Sequence, residues 1–217
     1  MSTVATVLRT ELSAQARTVQ PFLLVAAAVL ALNVAMGGAS LSVTIAMVTV
    51  AFLPANLFGQ EEKSNQSTMY LLLPVRRRQV VLARYLLVGL LMVVMMVVGF
   101  GLAVALRPLA EPQEQLTLAA TVSMMGLAFA FLSLVLGLQM PMLFRLGAAR
   151  GGVYTMAVPM VALFGTMILL HQVPSLLPAL LRLMSTPLTG VVGILAGCAV
   201  QVVSVLVATR LYEQRDL

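Results

Sequence analysis

The chain has 217 residues, 61% of them hydrophobic and only 9% charged, a balance that excludes a soluble domain of this size. Its formal charge of +6 comes from 13 Lys and Arg against 7 Asp and Glu; the basic residues collect between apolar runs, so no nucleic-acid partner is expected. The single cysteine, Cys198, excludes a disulfide framework and any thiol or zinc motif.

Six stretches of 18 or more residues contain no Asp, Glu, Lys, Arg or His: 20–37, 41–58, 85–106, 118–140, 153–170 and 187–209. At about 1.5 Å of rise per residue, each reaches across a hydrocarbon core of roughly 30 Å once the turns at its ends are counted. One charge at a helix centre costs roughly 2.5–3.5 kcal/mol, so six charge-free runs predict six transmembrane helices in an all-α integral membrane protein. The seven flanking segments must then alternate between two faces. One face collects eleven basic residues (Arg9, Arg17, Lys63, Arg76, Arg77, Arg78, Arg84, Arg145, Arg150, Arg210, Arg215), whereas the other has only Arg107 and Arg182. Positive-inside retention predicts that the first face, with both termini, is cytoplasmic.

In chain order, Val4, Leu8, Leu12, Ala16 and Val19 recur every three or four positions in 3–19, while Arg9, Ser13 and Arg17 fall elsewhere. This predicts an amphipathic helix lying in the interface. The segment includes Glu11 and precedes an apolar run longer than a signal-peptide core, so a retained first span is expected. Gly37-Gly38-Ala39-Ser40 makes a short outer turn, and Pro54 with Asn56 predicts a kink with a polar patch near the inner end of the second span.

The segment 59–84 is the longest hydrophilic stretch. It opens with Gln60-Glu61-Glu62-Lys63, turns apolar at Met69-Tyr70-Leu71-Leu72-Leu73, and reaches Pro74, which suits the first turn of a helix running through Arg76, Arg77 and Arg78 into the third span. The outer loop 107–117 carries Arg107, Glu111 and Glu114 as a solvated connection. Phe144 to Gly152 form a brief inner turn, and 171–186, leucine-rich with Pro174 and Pro178, predicts a short outer interfacial or re-entrant helix. No internal repeat separates the chain, so 1–217 reads as a single membrane domain.

The spans hold no ionisable residue apart from tyrosines and Cys198, which disfavours an ion-coupled carrier. Their amides and hydroxyls, among them Asn33, Thr44, Asn56, Gln139, Thr155, Thr166, Gln201 and Ser204, are expected to hydrogen-bond between helices. His171 is the only histidine and sits at an outer helix end, so neither a catalytic triad, a metal site nor paired haem ligands are expected. No glycine-rich loop precedes a Lys-Ser or Lys-Thr pair, which predicts that the chain is not an enzyme and binds no ATP of its own. In the last span, Thr189, Gly193, Gly197 and Gln201 repeat every four residues, a small-residue ridge suited to close helix packing within the bundle or between protomers.

Two motifs carry a resemblance. Phe58-Gly59-Gln60-Glu61-Glu62-Lys63, followed by Met69-Tyr70-Leu71-Leu72-Leu73-Pro74-Val75-Arg76-Arg77-Arg78-Gln79-Val80-Val81-Leu82-Ala83-Arg84-Tyr85, resembles the acidic pair and "sLPvsRkqiVlaKYl"-like run of bacterial ABC-2 type permeases. Pro141-Met142-Leu143-Phe144-Arg145-Leu146-Gly147-Ala148-Ala149-Arg150 is similar to their "PlyfkfGxekaR"-like turn between spans four and five. The six-span layout resembles the small permeases of phenol-soluble-modulin-type exporters. The resemblance implies a bacterial cytoplasmic (inner) membrane location and a dimer of permeases, formed with a second copy or a homologous permease. Each permease would dock an ABC ATPase subunit, which binds ATP and Mg, through a coupling helix between spans two and three. Glu61, Glu62, Ser64 and Tyr70 would be its contacts, and 3–19 the connecting helix.

The function expected is therefore the permease subunit of an ATP-driven exporter moving amphipathic or hydrophobic cargo, such as peptides. The other reading is a non-transporting membrane scaffold or immunity-type protein.

Overall fold

The computed structural model describes residues 24, 39–63, 77–105, 118–176, 178, 182 and 186–214. Helix and turn are the only secondary structure among them. We label the helices α1 (Ala39–Lys63), α2 (Arg77–Ala105), α3 and α4 (the two parts of Leu118–Gln172, divided at Gly147) and α5 (Pro187–Glu213). The amphipathic leader 3–19, the first span 20–37 apart from Leu24, the stretch 64–76 with Ser64, Tyr70 and Pro74, and the outer loop 107–117 lie outside the described residues.

Among the described residues, four helices are long and apolar enough to cross a membrane: Arg78–Gly101 in α2, Ala120–Gly147 in α3, Gly151–Gln172 in α4 and Pro187–Glu213 in α5. In α1 the apolar helix is the shorter Met47–Gly59. Two boundaries differ from the sequence reading, and one agrees. Helix α1 runs on past Phe58 through Glu61 and Glu62 to Lys63. Helix α2 is already helical at Arg77, in line with the helix expected to pass through Arg77 and Arg78 into the third span. The expected inner turn from Phe144 to Gly152 contracts to one residue: Gly147, at φ 75 and ψ 175, is the sole break in a 55-residue helical stretch. That conformation is essentially open to glycine alone, so the reversal needs Gly147 and no loop. Within 171–186, His171 and Gln172 close α4, a turn follows at Pro174 and Ser175, and Leu176, Pro178 and Arg182 are helical; the other positions to Ser185 lie outside the described residues.

The helices alternate in direction. Phe58 near the end of α1 meets Arg84 near the start of α2, and Phe144 near the end of α3 meets Tyr212 near the end of α5, so these four ends come together. At the opposite end Ser123 of α3 donates a hydrogen bond to the Thr186 carbonyl that precedes α5 (2.7 Å). Helices α1, α3 and α5 therefore run one way, α2 and α4 the other. Arg78, Arg145 and Arg210 stand exposed at the end where Arg84 lies, which we call the basic end.

The core is a layer of α1, α2 and α3 residues, with Leu53, Val81, Leu87, Leu132, Leu136 and Met140 all at 2% exposure or less. Along α2, buried Val81, Tyr85, Val88, Met92 and Met95 follow at three- and four-residue steps, alternating with exposed Leu86, Leu90, Val93 and Val97. An apolar helix with one face in the bundle leaves the other for hydrocarbon. Helix α4 folds back along α3: the Gln139 side-chain amide donates to the Thr155 carbonyl (2.9 Å), and Gly151 lies against Leu143. Only 11% of the α4 span is buried, against 56% for α2, so α4 is the peripheral member.

Candidate functional site

Helix α2 carries one charged residue on its inward face among the described residues. Arg84 is 7% exposed and is the only charged side chain among the buried described residues. A guanidinium so placed needs partners that compensate for lost water. Two are aromatic faces: its Cζ lies 4.5 Å from the centroid of the Phe58 ring and 5.6 Å from that of Phe144. Desolvated cation–π contacts of this kind contribute about 2 kcal/mol. The space beside the guanidinium, walled by Leu57, Phe58, Leu87 and Val88, has a volume of ≈ 10 Å³, no more than a single water needs.

Phe144 is the centre of this cluster and is 1% exposed. Its ring meets Phe58 of α1 edge to face at 5.1 Å, stacks with Tyr85 of α2 at 6.2 Å, and meets Tyr212 of α5 edge to face at 5.4 Å. Those are favoured geometries for aromatic quadrupoles. One side chain of α3 thus touches three other helices, three residues before the chain reverses at Gly147.

A polar relay lies beside the rings. The Ser204 hydroxyl donates to the Gly137 carbonyl (2.8 Å), and Ser204 Oγ is 2.6 Å from Tyr85 Oη. Ser204 has one proton, already given to a carbonyl that can only accept, so Tyr85 is the donor to Ser204. The relay joins α2 to α5 to α3. Gln139 and Gln201 also bond between helices, Gln201 reaching the Ser133 carbonyl at 3.4 Å. Asn56, Thr155 and Thr166 do not, contrary to the sequence expectation: each donates to the carbonyl four residues back in its own helix. A side chain that short satisfies itself locally when no facing acceptor is in reach.

Glu61 and Glu62 occupy the last turn of α1, one turn beyond Phe58, while Ser64 and Tyr70 lie outside the described residues. Gly193 and Gly197 are buried in α5 and face α3, together with Gly190. A Cβ at Gly193 would lie 2.5 Å from the Gly126 carbonyl oxygen, and one at Gly190 would lie 2.5 Å from that of Val122. Backbone therefore meets backbone along this seam. The buried line is Gly190, Gly193, Gly197, Ser204 and Ala208, so Thr189 is one position off the ridge that a strict four-residue repeat suggests. His171 and Cys198 are both exposed.

The sequence reading did not single out Phe58, Phe144 or Tyr212, and it grouped Arg84 with the loop cations. The available signal was a lone Arg amid Val80, Val81, Ala83, Leu87 and Val88.

Helices of membrane-crossing length and apolarity, packed through glycine and pinned at one end by aromatic rings, define a multi-pass membrane protein. The pattern of ABC-2 family transporter proteins matches residues 8–213, nearly the whole chain, and the chain belongs to that family. It is thus a membrane permease of the ABC-2 type. No curated protein matches the chain.

Proposed function

We propose that this permease is the transmembrane subunit of an ATP-driven exporter whose energy enters between α1 and α2. The observation that carries the reading is helical continuity: α1 extends through Glu61 and Glu62, and α2 begins at Arg77 and continues unbroken to Ala105. A partner that grips the intervening segment pulls on two rigid rods. Six spans with cytoplasmic termini, a bacterial inner-membrane location, and assembly as a pair of permeases complete the proposal. The chain itself has no enzymatic step; ATP and Mg bind in a separate ABC ATPase. Cargo of amphipathic or hydrophobic character, such as peptides, suits a pathway walled by aliphatic residues, with alternating access driven by that ATPase.

The test is capture of the ATPase together with hydrolysis in reconstituted membranes. Glu61→Lys combined with Glu62→Lys places like charge against a basic cleft, and binding should weaken about ten-fold or more while the bundle stays folded. Tyr70→Ala should lower permease-dependent hydrolysis about five-fold, as loss of an apolar anchor does. Full binding and full turnover in both variants would instead favour a scaffold that transports nothing.

A further inference from the structure

We propose that Phe144 and Arg84 form a mechanical joint, locking the basic ends of α1, α2, α3 and α5 into one unit that moves together when the α1–α2 segment is displaced. The inference rests on the exporter reading and names the residues that would carry its force across the bundle.

Three observations lead to it. The first is placement: Arg84 lies two turns into α2, and Phe58 one turn before Glu62 in α1, so both are on the rods that a bound ATPase would move. Second, the contacts converge. Phe144 at 1% exposure meets rings from α1, α2 and α5, and the Arg84 guanidinium lies over two of the same rings. Third, the relay from Tyr85 through Ser204 to the Gly137 carbonyl ties α2, α5 and α3 by hydrogen bonds beside the rings. Close-packed, directional contacts resist sliding, whereas the aliphatic contacts nearer the far end can shift rotamers. A buried cation is costly wherever water is scarce, and here it sits where four elements must stay in register. Because Phe144 immediately precedes the reversal at Gly147, a displacement of this unit also reaches α4.

The experiment places spin labels at Arg78→Cys on α2 and Arg210→Cys on α5, both exposed, in a Cys198→Ser background. Distance distributions are measured for the permease alone, and for the ATPase complex without nucleotide and trapped with ATP and vanadate. The joint predicts one narrow distance that is unchanged by trapping. Phe144→Leu keeps an apolar side chain and Arg84→Lys keeps the charge, but each loses ring stacking. Both should broaden the distance and cut permease-stimulated hydrolysis about five-fold, with ATPase capture retained. Arg84→Lys is the milder lesion and serves if Phe144→Leu fails to fold.

A wild-type distance that shifts on trapping overturns the joint, as do variants with the wild-type distribution. Loss of ATPase capture in the variants also overturns it, because the cluster would then support docking. If the unmutated permease captures no ATPase, the exporter reading fails, and the distance widths of the permease alone still decide whether the joint exists.

Discussion

Gly147 has a conformation, φ 75 with ψ 175, that a Cβ makes costly. Replacing it with alanine should cost about 1–3 kcal/mol, seen as a lower thermal midpoint in detergent. Gly165, in the interior of α4, has open space around it, so Gly165→Ala should leave the midpoint unchanged or raise it, alanine being the better helix former. Equal effects of the two substitutions would show that backbone conformation is not what Gly147 contributes. Arg84 shows a different kind of constraint. Rings from two other helices cover its charge, and no local pattern in the sequence announces that. Its partners lie as far away as Phe144, and the rest of the cluster extends from Phe58 to Tyr212, so only the fold brings them together.

At the scale of elements, the α3–α5 seam is where backbones approach most closely. Gly193→Leu sets a side chain against the Gly126 carbonyl and Leu127 nitrogen, atoms that cannot move without moving the helix. Gly197→Leu meets the Phe129 ring, which can turn aside. Overpacking costs about 1–3 kcal/mol, with Gly193→Leu expected at the upper end and Gly197→Leu at the lower. Thermal unfolding of the two variants in detergent checks the order, and a reversed order would contradict the seam. The helices themselves were legible in the sequence because charge is excluded from hydrocarbon, and the runs 41–58, 85–106, 118–140, 153–170 and 187–209 fall on α1 to α5. Their ends were less legible. Charge reports where water begins, but a helix continues through water with its internal hydrogen bonds intact, as α1 does to Lys63. The early start of α2 was legible only because Pro74 marks a helix beginning ahead of Arg77. The single-residue reversal was hidden for a related reason: Arg145 and Arg150 looked like a loop, yet both are helical.

For the whole molecule, the uneven distribution of basic residues is the quantity with a direct test. Arg78, Arg145 and Arg210 share one end with the Arg84 cluster, and that end is the one expected to face the cytoplasm. Single cysteines at Ser64 and Gln214, in a Cys198→Ser background, should react with an impermeant reagent only after the membrane is opened; one at Gln113 should react in intact cells. Labelling of Ser64 from outside would reverse the orientation.

The reversal at Gly147 also governs how the protein tolerates changes in length. Most membrane hairpins have a loop that absorbs an extra residue, but here the register of α4 against α3 passes through one peptide unit. Adding a residue after Gly147 would turn α4 by about 100°. It would carry Thr155 away from Gln139 and swing a different stripe of Val, Met and Phe towards the bundle. This hairpin is therefore a poor place for a tag or a graft, although a map of charges alone would have marked it as a loop.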